Sequence, residues 1–259
     1  MGTNPRFVWH DLLADDIEAA KRFYGELFGW RFKKGESDES YEHVYAGEEP
    51  IGGIMKNPSP IPPHWLPYLG VDDVDASVAA VTGAGGRRLS PTMDLPTVGQ
   101  FAAAADPTGA AFSPFHYTGK DAGKPESSQP PGLWTFCWDE LLSAEPERAA
   151  KFYAQAFGWG LETMEMPGYG TYTLLKRVGV KDAKGADKAA GGVGKLPPGV
   201  PRSFWLPYVA VPDCDASVAK AQRLGAQLPM PAMDIPGVGR FATIIDPQKA
   251  AIAVLQPKP

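Results

Sequence analysis

The stretch Phe7 to Trp30, FVWHDLLADDIEAAKRFYGELFGW, recurs 129 residues later as Phe136 to Trp159, FCWDELLSAEPERAAKFYAQAFGW, with eleven of 24 positions identical. The shared positions are mostly apolar or turn-forming, among them Trp9/Trp138, Leu12/Leu141, Phe23/Phe152, Tyr24/Tyr153 and Gly29/Gly158. A second block repeats as well: Trp65 to Phe115 aligns without a gap on Trp205 to Leu255, at an offset of 140, with 24 of 51 positions identical. A chain that writes its apolar scaffold twice folds as a duplicated unit, and chemistry is to be sought where the copies differ. The growth of the offset by eleven residues is assigned to a loop insertion in the Gly, Lys, Asp and Ala stretch 179–190.

With 259 residues the chain is long enough for two domains, expected at 1–117 and 132–259. The polar segment 118–131, TGKDAGKPESSQPP, has no hydrophobic period and is expected as their linker. Residues 1–124 hold 11 basic and 17 acidic side chains and the remainder 14 and 13, so no basic run offers a footprint for nucleic acid or an anionic membrane. No apolar run approaches the roughly 18 residues of a membrane span, and MGTNPRFVWH lacks the regions of a signal peptide, so a cytoplasmic protein, monomer or homodimer, is expected. Cys137 and Cys214 both lie in the second copy and are expected on strands as buried thiols rather than a disulfide.

Phe7 to Leu13 suits a strand and Ile17 to Phe28 a helix, with Asp16 as N-cap, Ile17, Ala20, Tyr24 and Leu27 as its apolar stripe, and Gly29 as its left-handed stop. Pro146 pins the same helix start in the second copy. Strands follow at 30–34, 41–46 and 51–55. The block from Trp65 repeats the order: strand 67–71, helix 75–82 capped by Asp75, a strand near Arg88, strand 101–105, an Asp-Pro-Thr-Gly turn and strand 110–115. Each half therefore holds two β-α-β-β-β modules, four in the chain.

These phrases, D-x-x-x-A-x-x-FY-x-x-x-FGW over Asp16 to Trp30 and VGQFAAAADPTGAAF over Val98 to Phe112, resemble the vicinal oxygen chelate superfamily of glyoxalase I, bleomycin resistance proteins and extradiol dioxygenases, in particular two-domain glyoxalase-like proteins of actinobacteria. The resemblance implies an α+β fold, a tandem duplication of glyoxalase-like domains whose four modules pair into curved-sheet cups holding a divalent metal or a small ligand. It also implies where metal ligands would stand. The first-strand position falls on Trp9 and Trp138, the second-module position on Leu66 and Leu206, and the carboxylate after the Asp-Pro turn on Ser113 and Ala253. These side chains cannot supply the imidazole and carboxylate donors that transition metals need, so no metal ligand and no cofactor are expected. His10 misses the first-strand position by one residue, which turns it to the opposite face. All four histidines lie in the first half, so the alternative is a divalent metal there only, among His10, Asp11, His64 and His116.

By two-residue alternation Trp9, Asp11 and Leu13 share a strand face, as do Trp138, Glu140 and Leu142. An acid beside a Trp thus recurs. Asp11 and Glu140 are candidate acid/base groups, against the plain alternative of strand-end carboxylates in water. Candidate ligand-binding aromatics are Trp9, Trp65, Tyr68, Phe101, Trp138, Trp205, Tyr208 and Phe241; as a class, tryptophans are more often packing residues, while Phe23, Tyr24, Phe152 and Tyr153 are expected in the core. The expected function is small-molecule binding, with a partly aromatic or apolar ligand in cups whose metal sites are degenerate. The alternative is a lyase, isomerase or oxygenase acting on a small carbonyl or polyketide-like substrate through Asp11 or Glu140, with or without a metal.

Overall fold

The computed structural model describes residues 5–35, 40–58, 60–119, 131–166 and 168–258; most of the expected linker, residues 120–130, lies outside them. The first module is β1 (Arg6–Ala14), α1 (Ile17–Phe28), β2 (Arg31–Lys34), β3 (Tyr41–Ala46) and β4 (Glu49–Lys56). The second is β5 (His64–Gly70), α2 (Val74–Gly83), β6 (Arg87–Arg88), β7 (Met93–Leu95), β8 (Gly99–Phe101), β9 (Ala104–Ala105) and β10 (Ala111–Tyr117). The third is β11 (Phe136–Ser143), α3 (Pro146–Phe157), β12 (Gly160–Met166), β13 (Gly170–Lys181) and β14 (Asp187–Lys195). The fourth is β15 (Phe204–Ala210), α4 (Cys214–Arg223), β16 (Met233–Ile235), β17 (Gly239–Ile245) and β18 (Ala251–Pro257). No described helix is long and apolar enough to cross a membrane.

The strands form two curved sheets. One follows the order β2-β3-β4-β1-β5-β10-β8-β7, with β6 and β9 paired beside β10, and the other β12-β13-β14-β11-β15-β18-β17-β16. Each module's helix carries the chain across to the far edge, and its later strands return by antiparallel pairing. The last strand therefore lies parallel to the first: β1 with β4, β5 with β10, β11 with β14, and β15 with β18. The sheets are thus mixed rather than all-parallel.

The helix signals act as expected at α1, where the Asp16 side chain accepts from the Ala19 N–H at 2.9 Å and Gly29 ends the helix at φ 73°. Three expectations are corrected. In α2 the cap is Asp73, not Asp75, and it accepts from the Ala76 N–H, because the helix begins one residue earlier than expected. The extra residues of the second half are only partly loop, at 182–186; most lengthen the β13/β14 hairpin, whose strands reach 12 and 9 residues against 6 and 8 in β3 and β4. Cys214 opens α4 rather than sitting on a strand; it is a free thiol, as is Cys137, and burial pushes its pKa up to about 11.

Packing does not follow the contiguous domains expected at 1–117 and 132–259. One compact unit comprises Trp9–Leu66, Ser128–Trp138 and Leu206–Pro259; the other comprises Met1–Val8, Pro67–Ser127 and Asp139–Trp205. In the first, the buried stripe of α1, including Phe23, Tyr24 and Leu27, shares a core with Trp30, Trp65, Val209, Ile244, Ile252 and Val254. In the second, Phe152, Tyr153 and Phe157 of α3 share a core with Leu69, Val78, Val81, Phe112, Trp159 and Trp205. Each such large apolar side chain stabilises the fold by roughly 1.5–3 kcal/mol when fully buried. The repeat is the unit of sequence; a pair of modules from opposite halves is the unit of packing.

At the centre of each core a tyrosine from the FY phrase meets the aspartate of an Asp-Pro turn. Tyr24 Oη donates to Asp246 Oδ2 at 2.9 Å and accepts from Trp65 Nε1 at 3.2 Å, while Asp246 Oδ1 accepts from the backbone N–H groups of Gln248 and Ala250. In the other unit Tyr153 Oη accepts from Trp205 Nε1 at 2.9 Å and lies 3.4 Å from Asp106 Oδ2, and Asp106 Oδ1 holds its own turn through Thr108 and Ala110. Burial raises the pKa of both carboxyls and lifts both phenols well above their ordinary value. A buried polar group is tolerated when its partners are supplied, and here tyrosine, tryptophan and a turn backbone supply them.

Candidate functional site

Trp9 and Asp11 lie two residues apart on β1, so their side chains leave the same face. There Trp9 Nε1 donates to Asp11 Oδ1 at 2.9 Å and to Tyr41 Oη at 2.9 Å, and Tyr41 Oη donates to the same Asp11 oxygen at 2.8 Å. Tyr41 reaches across from β3 because the intervening strand carries glycine. Asp11 pairs in register with Gly53, and a Cβ on Gly53 would lie 1.9 Å from Tyr41 Oη and 2.4 Å from Asp11 Oδ1. His43 stands edge-on to both rings, 6.0 Å from Trp9 and 5.2 Å from Tyr41. Asp11 is only 3 % exposed, so this is a buried carboxylate held by an indole and a phenol, not a strand-end acid in water.

The second copy builds its acid differently. Glu140 on β11 pairs with Gly192 and is 2 % exposed. Tyr169, in the turn between β12 and β13, donates to Glu140 Oε1 at 2.5 Å. Tyr172, the counterpart of Tyr41 in the repeat, lies edge-on to Tyr169 at 5.8 Å, with its hydroxyl 2.0 Å from where a Cβ on Gly192 would be. Burial, and then the charge of Glu140, push the Tyr169 pKa far up, so the phenol keeps its proton and acts as a donor.

The other candidate aromatics divide. Tyr68 packs with Phe101 and Phe115 at 5.9 and 6.0 Å, and Tyr208 with Phe241 at 5.9 Å, one cluster in each unit. Trp138 is partly buried on β11, two residues before Glu140. Trp65 and Trp205, expected among the ligand-facing aromatics, are 3 % and 2 % exposed and belong to the two cores, where their indoles donate to Tyr24 and Tyr153. Alternation explains it: in WLPY the Trp faces the helix layer when Leu and Tyr face the other way. Two surface clefts, of about 440 and 400 Å³, lie elsewhere, one beside the start of α2 and the end of α3 and one along α3 by Arg148 and Lys151. Neither is lined by these aromatics or by either acid, and side-chain chemistry is the better guide here than cleft size.

The ancestral ligand positions do not fit a transition metal. Trp9 presents an indole engaged with Asp11, Leu66 and Leu206 are apolar, Ala253 has no donor, and the Ser113 hydroxyl is buried and donates to the Ala102 carbonyl at 3.0 Å. Among the described residues no three His, Cys, Asp or Glu side chains come together as a metal-holding group. His10 is turned to the core side, as its one-residue offset implies, and lies against Phe136 at 4.1 Å; His64 Nδ1 is 2.9 Å from the Pro62 carbonyl and His116 Nδ1 3.0 Å from that of Val71. Tyr41, Tyr169, Tyr172, Gly53 and Gly192 were not singled out from sequence. Their signal was present: a Gly-Gly pair, Gly52-Gly53 and Gly191-Gly192, recurs on the strand beside each acid.

A profile of the glyoxalase-like domain matches residues 8–114. The glyoxylase-named protein CFP32 of Mycobacterium tuberculosis is 36% identical over 259 residues, covering 97% of this chain and 94% of its own. The anthracycline biosynthesis protein DnrV of Streptomyces peucetius is 27% identical over 267 residues, covering 96% and 92%. Among solved structures, the Mn(II)-bound glyoxalase from Novosphingobium aromaticivorans superposes with a TM-score of 0.65 at 16% identity, covering 99% of this chain and 83% of that one. An extradiol ring-cleaving dioxygenase from B. fuscum superposes with a TM-score of 0.64 at 17% identity, covering 99% and 73%. At such identities the structural likeness speaks for the fold alone.

Proposed function

The chain belongs to the glyoxalase-like family of the vicinal oxygen chelate superfamily, and from that premise we propose that it binds a small, partly aromatic or apolar molecule at the faces carrying Asp11 and Glu140, without a transition metal at the ancestral positions. The observation that carries this reading is the closed set of hydrogen bonds among Trp9, Asp11 and Tyr41. It fills the first ligand position with an aromatic donor and leaves a buried carboxylate beside rings, the composition of a small-molecule site. A relative named for anthracycline biosynthesis is in keeping with a polyketide-like aromatic ligand. The protein would act in the cytoplasm, as a monomer or homodimer.

Native mass spectrometry of freshly purified protein should show a co-purifying small molecule, and a two-site titration with that molecule should assign it. Trp9→Ala should weaken the first site alone and Trp138→Ala the second alone, each by roughly two- to twelve-fold, since stacking on an aromatic contributes roughly 0.5–1.5 kcal/mol beyond area burial. If neither substitution alters binding, the tryptophans are packing residues and the reading fails. A second reading, catalysis by Glu140 as acid or base on a small carbonyl substrate, is favoured by the 2.5 Å bond from Tyr169, which couples a phenolic proton to the carboxylate. Turnover of the bound molecule that is lost in Glu140→Gln would establish it.

A further inference from the structure

The following rests on the ligand-binding reading and concerns the face that carries Glu140. In both copies a phenol engages the buried acid, and in the second copy one reaches it from a turn. Tyr41 donates to Asp11 from within a strand. Its counterpart Tyr172 sits over Gly192, and Tyr169, three residues earlier and in a turn, donates to Glu140. In the second copy, then, a phenolic O–H reaches the buried carboxylate from a turn. Tyr169 also enters the face on a backbone flanked by Gly168 and Gly170, both at positive φ, 78° and 93°. A turn so flanked is readily made only with glycine.

We infer that Tyr169 stands where Glu140 receives the phenolic or enolic hydroxyl of a ligand, and that such a ligand takes the second face by displacing this side chain. The chemistry selects for a hydroxylated ring. Glu140 is buried, so a ring without a donor would displace Tyr169 and leave the carboxylate one hydrogen bond short, at the cost of a buried charged acceptor. A ligand phenol replaces the lost bond, and one more acidic than tyrosine makes it stronger. Room for a flat ring is provided by the strand beneath: a Cβ on Gly194 would lie 3.0 Å from Tyr169 Cε1 and 3.1 Å from Glu140 Oε1.

The test uses the full-length protein, calorimetry and two probes of equal size, p-cresol and toluene. Tyr169→Ala should bind both probes more tightly than wild type, since neither has to displace the side chain, and should prefer p-cresol to toluene by at least about ten-fold, as expected for one hydrogen bond to a charged acceptor. Adding Glu140→Gln to that variant should remove most of this preference. Equal affinity of the variant for the two probes would overturn the inference while leaving an apolar binding face, and with it the underlying reading, in place. No gain for p-cresol in a variant with the circular dichroism and melting profile of wild type would overturn it as well. Should Tyr169→Ala not fold, Tyr169→Phe is measured in its stead: p-cresol must bind it more tightly than wild type, because the displaced ring no longer bonds Glu140, and an unchanged affinity overturns the inference.

Discussion

Replacing Tyr24 by Phe removes one oxygen from the most buried part of its unit and leaves two partners short. Asp246 loses a charge-assisted bond of 2.9 Å, and the Trp65 indole N–H, which reached Tyr24 Oη at 3.2 Å, loses that acceptor. A hydrogen bond to a charged group contributes about 1.5–3 kcal/mol and a buried unsatisfied donor costs about 1–3; the two losses overlap, so the expected destabilisation is about 3 kcal/mol. For units of this size that corresponds to a fall in Tm of roughly 6–12 °C. The penalty should also depend on pH. Burial raises the Asp246 pKa above its ordinary value, and the bond from Tyr24 works against that rise. The native state therefore holds this proton more tightly than the unfolded chain, so the contribution of Asp246 to stability grows as pH falls through the window between its raised pKa and 3.8. Without Tyr24 Oη the ionised carboxylate is less well supported, so the variant should lose most at about pH 7 and less at about pH 4.5. Urea unfolding followed by tryptophan fluorescence, with Trp30 and Trp65 as reporters in the same core, measures both. A loss under about 0.5 kcal/mol, or one equal at both pH values, would refute the reasoning. Tyr153→Phe provides the internal comparison: its oxygen is 3.4 Å from Asp106, so its pH-dependent part should be the smaller.

Gly53→Ala should destabilise by about 1–3 kcal/mol in a thermal melt and weaken ligand binding at the first face, because the new methyl would collide with Tyr41 Oη and Asp11 Oδ1. Gly192→Ala meets Tyr172 Oη in the same way and should fall in the same range, at its lower end if the phenol swings aside. Gly29→Ala tests backbone strain alone, since φ is 73° and nothing lies within 4 Å of the added carbon; a cost of about 1 kcal/mol is expected, and one above about 2 kcal/mol would show that Gly29 has a further role. Elemental analysis of protein purified without chelator should find zinc, iron, nickel and manganese well below one per chain, and a stoichiometric ion would show that side chains other than those at the ancestral positions bind it.

The module order was legible because periodicity, caps and turns agree locally: α1 and α3 lie within the expected bounds, and Asp16, Pro146 and Gly29 act where the sequence placed them. The pairing of modules was not legible. Nothing in an apolar stripe such as Phe23, Tyr24 and Leu27 says whether its partner is Val81 of the same half or Ile244 of the other, since both are equally apolar. Trp65 and Trp205 were misplaced for a related reason: an aromatic on a strand buried on both faces gives no local sign of which face is the core. The recurrence of Trp-x-Asp and Trp-x-Glu marked the strand face on which Asp11 and Glu140 are buried. The tyrosines were not legible, because Tyr41 and Tyr169 reach the acids from other strands and turns, at separations of 30 and 29 residues that no motif spans.

The interleaved cores impose an order on how the molecule comes into being on the ribosome. The unit holding α3 draws on nothing beyond Trp205, so its last strands emerge with more than fifty residues still to be made. The unit holding α1 is the last to be completed: Phe23, Tyr24, Trp30 and Trp65 wait for Ile244, Ile252 and Val254. During synthesis that aromatic surface is without its partner, and it is the state in which the nascent chain is most exposed to a chaperone or to another copy of itself. A premature stop before Ile244 would therefore strand the module that holds α1, because the strands that cover it would never be made.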